Sequence, residues 1–266
     1  MTLADLTVLI RGGGEMASGI AHRLYQCHMR ILMTEAAAPT AVRRTVAFAE
    51  AVYEGSQTVE GVKAVRVDSL EQAPGVWRSG EIPIIVDPEA DSRREIRPPV
   101  LIDAIMAKKN SSTTIADAPL VIGVGPGFVA GGNVHAVVES NRGYHLGRVQ
   151  WEGETEANTG VPAPVAGHAE ARVLRTPRNG RFRAFRKIGD IIQQGEIVGA
   201  VEDVPIRAQI PGLLRGLLRD GIQVPQGVKA GDVDPRTERG YCYLISDKAR
   251  AIGGGVLEAI LHSLKS

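Results

Sequence analysis

Four glycines in the second half of the chain recur at one constant offset: Gly180, Gly189, Gly195 and Gly199 reappear as Gly212, Gly221, Gly227 and Gly231. The two copies read "GRFRAFRKIGDIIQQGEIVGAV" and "GLLRGLLRDGIQVPQGVKAGDV", each a set of short strands punctuated by glycine turns. A unit this small cannot bury its own apolar face, so two similar hairpin units must pack against each other. The onset of this region is marked by "NTGVPAPVAG" (Asn158 to Gly167), where prolines and glycines multiply and helical periodicity stops. The spacing therefore predicts three segments: an α/β domain over 1–157, a duplicated all-β domain over 158–236, and a strand and helix over 237–266 that return to the α/β domain.

The duplicated pattern resembles the barrel-sandwich hybrid of biotinyl and lipoyl domains, which is built from two such half-motifs. Those domains present a modified lysine on the hairpin between the halves. Here that hairpin reads "VEDVPIRAQIPG" and contains no lysine, so neither biotin nor lipoate is expected and the module reads as a scaffold or docking element. The run Arg172, Arg175, Arg178, Arg181, Arg183, Arg186 and Lys187 has no acid between Glu170 and Asp190. It reads either as a face for an acidic partner or anionic ligand, or as a solvated edge strand protected by charge.

The first half alternates strand and helix signals. "LTVLI" (Leu6 to Ile10) is a short buried strand, and "GGGEMASGI" follows it. Ala17, Ile20, Leu24 and Cys27 then mark one stripe of a helix starting near Glu15. Gly12, Gly14 and Ala17 fit G-x-G-x-x-A, the spacing that lets a backbone turn tightly and approach a pyrophosphate at a helix N-terminus. Glu35 closes the next apolar run, about 20 residues on, where a carboxylate accepts bonds from ribose hydroxyls. Gly12, Gly13, Gly14, Glu15, Ala17 and Glu35 are thus one candidate nucleotide site; a plain tight turn with a first-turn acid uses the same residues. A helix from about Pro39 through Tyr53, strands "AVRV", "IPIIVD" and "PLVIGV", and a helix over "PPVLIDAIMAKKN" complete a Rossmann-like, doubly wound parallel sheet. Its carboxyl edge gathers Asp87, Arg93 or Arg94, and the "GVGPGF" loop with Gly125 and Gly127.

Near the C-terminus, Gly253, Gly254 and Gly255 precede an apolar helical stripe and repeat the look of the first turn, as a second anion nest or as a plain docking helix. Cys242 lies beside "ISDKARAIGGG". A glycine nest with Lys248 or Arg250 nearby predicts a lowered thiol pKa and a catalytic role in passing a chalcogen; a buried strand cysteine in "YCYLI" is the other reading. His135 and His145 alternate with apolar residues as a strand would. The 6 histidines and 2 cysteines lack ligand spacing, so no metal site and no disulfide framework are expected. The formal charge of +1 is mixed in sign, which argues against nucleic acid and anionic membrane as partners. With neither a signal-like start nor a membrane-length apolar run, a cytoplasmic chain is expected.

"GGGEMASGIAHRLY", "MTEAAAPTAVRRTVAFAEAVYEG", "VIGVGPGF", "VHAVVESNRGYHLGRV", "GDVDPR" and "SDKARAIGGGVLEAI" together resemble the YqeB family over nearly the whole chain. At Gly12 to Glu15 the family pattern leads one to expect GAGD-like residues, and both departures conserve size and charge. The resemblance implies an accessory protein that matures a selenium-dependent molybdenum hydroxylase. It also implies a molybdenum cofactor in pterin dinucleotide form as ligand, and the apo-hydroxylase and a selenium donor as partners. The glycine turn alone suits NAD(P) equally, which keeps an NAD(P)-dependent oxidoreductase open. A non-catalytic adaptor with a vestigial nucleotide site is the third reading.

Overall fold

The computed structural model describes residues 3–107, 110, 112–158, 160–161 and 164–264. The chain is mixed α/β and divides into two units. The first comprises Met1–Pro39, Ala47–Asn158 and Ile245–Ser266, and the second Thr40–Val46 and Thr159–Leu244. The first unit is left at Asn158 and re-entered at Ile245. The insertion of Thr40–Val46 into the second unit has no counterpart in the sequence reading.

In the first unit, β1 (Thr7–Arg11) leads through α1 (Glu15–Gln26) to β2 (Arg30–Glu35). After the short α2 (Ala51–Glu54) come β3 (Ser56–Val59), β4 (Val62–Val67), α3 (Ala73–Arg78) and β5 (Ile82–Val86). A one-turn α4 (Arg93–Ile96) precedes β6 (Val100–Asp103) and β7 (Leu120–Val124); the small β8 (Val129–Ala130), β9 (Ala136–Val138), β10 (Val149–Gln150) and β11 (Gly153–Glu154) follow. The last helix, α5 (Asp247–Ser263), also belongs here.

Among the described residues one nine-stranded sheet runs in the order β10-β9-β7-β6-β1-β2-β5-β4-β3. It is parallel from β9 to β4 and closed at each edge by an antiparallel strand. The chain passes from β1 to β2, makes the outer strands β3 and β4, comes back to β5 beside β2, and then crosses to the other flank of β1 with β6. The strand order therefore reverses between β1 and β6. Register sorts the apolar residues into two buried rows: Leu32, Leu9, Leu101 and Val121 form one that belongs to an apolar cluster with Phe128 and Ala90. Met33, Ile10, Ile102 and Ile122 form the neighbouring row, all fully buried. Truncating a leucine of such a row to alanine removes about 2–5 kcal/mol.

Two expected helices are absent. Val100–Asp103, read as the start of a helix because of its prolines and basic end, is a fully buried strand hydrogen-bonded on both sides. Its four residues pack between β1 and β7, and tertiary pairing overrides the local signal; Lys108 and Lys109 lie outside the described residues. Pro39 to Tyr53 forms 3-10 turns and the one-turn α2 rather than one helix.

The second unit holds β12 (Val173–Arg175), β13 (Gly180–Ala184), β14 (Ile191–Ile192), β15 (Ile197–Val201), β16 (Val204–Arg207), β17 (Gly212–Leu217), β18 (Gln223–Val224) and β19 (Lys229–Asp234). They form two antiparallel sheets, β12-β19-β17-β14 and β16-β15-β13-β18. Exchanging the first repeat's four strands for the second's turns one sheet into the other, so each sheet draws two strands from each copy. The repeat reaches single bonds: Gly221 N–H donates to Phe182 O at 2.8 Å, and Gly189 N–H to Leu214 O at 2.9 Å. The core obeys it too, with Leu174, Phe182, Ile192 and Val201 matched by Ile206, Leu214, Val224 and Val233. Glycine pairs share their backbone: φ is +145° and +155° at Gly180 and Gly212, +83° and +82° at Gly195 and Gly227. The inserted segment joins this unit through Leu217 N–H to Val42 O (2.9 Å) and Arg44 Nε to Leu217 O (2.8 Å).

Candidate functional site

The carboxyl ends of β1, β2, β5, β6 and β7 place the glycine turn, Glu35, Asp87, Asp103 and the Gly125 loop along one edge of the parallel sheet, at the reversal of strand order. Gly12 has φ +99°, and a Cβ there would stand 3.2 Å from Ala104 O, so the turn leaves β1 against the start of the loop after β6. Gly13 is enclosed: its carbonyl accepts from Ala49 N–H at 2.8 Å and Ser18 Oγ at 3.0 Å, and a Cβ would meet Ala49 N at 2.9 Å. Gly14 is the N-cap of α1 with φ −66°, and a Cβ there meets nothing within 4 Å. Glu15 opens the helix, and Ala17 is fully buried, which lets α1 sit close on the sheet. The turn thus presents one open position, Gly14, at a helix N-terminus.

Glu35 accepts Gly13 N–H and Ala36 N–H, both at 2.7 Å. Burial pushes its carboxyl up from the ordinary glutamate range, and the two N–H donors only partly counter that. Gly13 N–H is therefore spent on the protein's own carboxylate, which narrows the expected phosphate cradle to Gly14 and the helix beyond. Asp87 is a loop-former: Oδ1 accepts from Asp91 N–H (2.9 Å) and Oδ2 from Ser92 N–H (2.8 Å). Arg93 is tied to Asp117 at 3.0 Å, and Arg94 pairs with Asp91 at 3.3 Å. Gly125 (φ +79°) donates to Val138 O at 2.9 Å, and a Cβ would strike Ser140 Oγ at 2.5 Å. Gly127 has φ +104°. Both glycines shape the loop after β7.

Sequence reasoning passed over a buried cluster at the same edge. Arg11, the last residue of β1, is 3% exposed and pairs with Asp103, the last residue of β6, at 3.2 Å. Asp103 also accepts from Thr113 Oγ1 at 2.6 Å, and Arg11 reaches Thr113, Ser112 and the carbonyl of Pro88. Among the described residues Arg11 Nε is buried with no hydrogen-bond partner. The signal was present in "LTVLIRGGG": an apolar strand ending in arginine directly before the turn.

The second glycine run is not a nest. Gly253, Gly254 and Gly255 lie inside α5, whose N-cap is Ser246, accepting from Ala249 N–H at 3.3 Å. Their small size serves close packing instead: a Cβ at Gly253 would stand 3.2 Å from Gly19 O of α1, and one at Gly255 would collide with Gly147 O. Cys242 ends a 3-10 turn, Arg239–Cys242, rather than sitting in a strand, and is fully buried. Burial raises its thiol pKa, with Arg43 and Arg215 only partly opposing. A buried thiol held protonated is a poor chalcogen carrier, so the expected catalytic role gives way to the core reading. Arg250, its supposed activator, is held by Glu60 at 2.6 Å. His135 Nδ1 accepts Val121 N–H at 3.0 Å and is held below the usual histidine range by burial; His145 meets Glu156 at 2.9 Å.

In the second unit, the hairpin expected to carry a lysine in carrier domains turns at Glu202 and Asp203 between β15 and β16. Glu202 accepts Arg181 N–H at 2.6 Å, and Asp203 pairs with Arg178 at 3.1 Å. Much of the basic run is neutralised in place: Arg172 on the buried Asp232, Arg186 on Glu196. Burial works against ionisation of Asp232, but Lys229, Arg215 and Arg172 outweigh it and hold the carboxyl below the usual range.

Among the described residues, no helix is long and apolar enough to cross a membrane. No family model matches the chain. Among solved structures, the product-bound ectoine utilization protein EutE (DoeB) from Ruegeria pomeroyi covers 86% of this chain and 85% of its own at 10% identity, with a TM-score of 0.27. An aspartoacylase family protein from Mesorhizobium loti covers 86% and 84% at 12% identity and 0.26. TcdA (CsdL) covers 99% and 90% at 9% identity and 0.33. Scores this low carry no argument about fold or activity. A protein of Escherichia coli (strain K12) described as uncharacterized protein YqeB is 46% identical over 254 residues. The match takes in 96% of this chain and 47% of that protein, so the chain spans about half the length of its relative. The chain is thus related to YqeB, and the YqeB-family resemblance of its sequence blocks is supported over nearly its whole length.

Proposed function

We propose that this chain is a cytoplasmic accessory factor in the maturation of a selenium-dependent molybdenum hydroxylase. In this reading it holds the molybdenum cofactor, in its pterin dinucleotide form, for selenium insertion or delivery to the apo-enzyme. Its first unit acts as a Rossmann-like nucleotide-binding domain. Its second is a barrel-sandwich hybrid of the biotinyl and lipoyl kind, without the carrier lysine, that serves as scaffold or docking module.

The observation that carries the reading is Gly14: an open N-cap with negative φ, at the head of a twelve-residue helix and at the reversal of strand order. Such a position receives a phosphate on free N–H groups and a favourable dipole. The dinucleotide brings a pyrophosphate and a ribose, and the residues fit both. Gly14 leaves the approach clear, and Glu35 uses two of about four acceptor positions on Gly13 and Ala36, leaving room for ribose hydroxyls.

Calorimetry with a molybdopterin dinucleotide preparation, NAD, NADP and CTP tests the proposal. Selective uptake of the pterin dinucleotide, abolished by Gly14→Arg and weakened by roughly 1–3 kcal/mol on removing the Glu35 carboxylate, is the expected outcome. NAD or NADP binding with turnover of a reduced partner would replace this reading by an oxidoreductase. Binding of none of the four would leave an adaptor.

A further inference from the structure

The repeat of the second unit sets Val173, Leu174 and Arg175 of β12 equivalent to Pro205, Ile206 and Arg207 of β16. These strands are edges of the two sheets and touch each other. Between them lies a cleft of about 410 Å³ to which both arginines contribute. Its lining includes the apolar Leu174 and Ile206, 1% and 4% exposed.

The two arginines are held in the same way, each by the other copy. Arg175 Nη1 donates to Gly227 O at 3.0 Å and Arg207 Nη1 to Gly195 O at 2.9 Å, and the two glycines are themselves repeat equivalents. Neither arginine has a carboxylate within 4.0 Å among the described residues, unlike Arg172, Arg178 and Arg186. One N–H of five is used in each case, which steadies the side chain and leaves the rest of the fork free.

We propose that this cleft is a binding site for a small dianion of the phosphate class, gripped by one guanidinium from each copy. A tetrahedral phosphate offers two pairs of oxygens in different directions, so two forks related by an approximate twofold can each take a pair; a single carboxylate offers only one pair. Glu170, which also lines the cleft, opposes an anion and limits affinity. The site lies wholly within the second unit and is independent of the glycine turn.

Titration of the full chain with inorganic phosphate, followed by amide shifts at constant ionic strength, tests the assignment. Saturable shifts confined to β12, β16 and the Gly195 and Gly227 turns are expected. Arg175→Gln and Arg207→Gln should each weaken binding by about tenfold and by similar factors, and Glu170→Gln should tighten it. Arg207→Lys keeps the charge and the fold but not the fork, and should also weaken binding. Acetate should bind at least about tenfold more weakly than phosphate. Unsaturable shifts, a loss confined to one of the two arginines, or acetate binding as well as phosphate would each overturn the proposal.

Discussion

The chain contains the tripeptide Gly-Gly-Gly twice, and the two occurrences share no structural role. At Gly12 to Gly14 the run follows a buried strand and makes the connection to α1, with φ +99° at its first residue and open space at its last. At Gly253 to Gly255 the run sits within a helix already begun at Asp247, and its outer members are small because backbone from Gly19 and Gly147 comes close. Upstream sequence decides between them. Thr7–Arg11 is a strand that must stop, whereas Ser246 and Asp247 have already capped and started a helix. A glycine run thus acquires meaning from what it terminates or interrupts.

Substitution can break this comparison, and the largest effect falls on the second run. Gly255→Ala should destabilise the protein by more than about 3 kcal/mol in denaturant titration, because the clash is with backbone rather than a flexible side chain. If it is tolerated, the close approach at Gly147 is wrong. Gly12→Ala should cost about 1–3 kcal/mol, from positive φ and the contact with Ala104 O.

Glu35→Gln sharpens the contrast through pH. The folded carboxyl titrates above its unfolded value, so the folded state binds more protons between the two. Stability should therefore fall as pH rises from the ordinary glutamate range through the raised folded pKa. Thermal midpoints measured across that range should show the decline in the wild type and a flatter profile in Glu35→Gln. Within the second run, Gly254→Ala meets nothing and should add about 0.5–1 kcal/mol, the opposite sign to its neighbour. Gly14→Arg should change stability least, by under about 1 kcal/mol, while removing phosphate-bearing ligands.

Periodicity made β1, α1 and the duplicated strands legible, because each is fixed by its own pattern of burial or its own glycines. The repeat offset marked the equivalent turns at Gly189 and Gly221 and at Gly195 and Gly227. What escaped was decided by distant pairing. Val100–Asp103 looks helical locally but is held by β1 and β7, and Arg11 and Asp103 meet only because that pairing exists. Gly253 to Gly255 resembled a turn because the sequence alone does not show that Gly19 and Gly147 lie against them. The separation of Thr40–Val46 from its flanks has no local cause either, since Val42 and Arg44 are fixed by Leu217 in the other half of the chain.

The exchange of strands between the copies carries a consequence for how the second unit folds. Val173 of β12 pairs with Asp232 of β19, and Gly180 of β13 with Val224 of β18, so one sheet completes only at β18 and the other only at β19. Hairpin β15–β16 forms locally, but the rest requires closing long loops before contacts reward them. Such a topology folds slowly and late. A ribosome-bound chain ending before β19 would lack Val233 of the shared core and leave β12 and β17 without the strand that joins them.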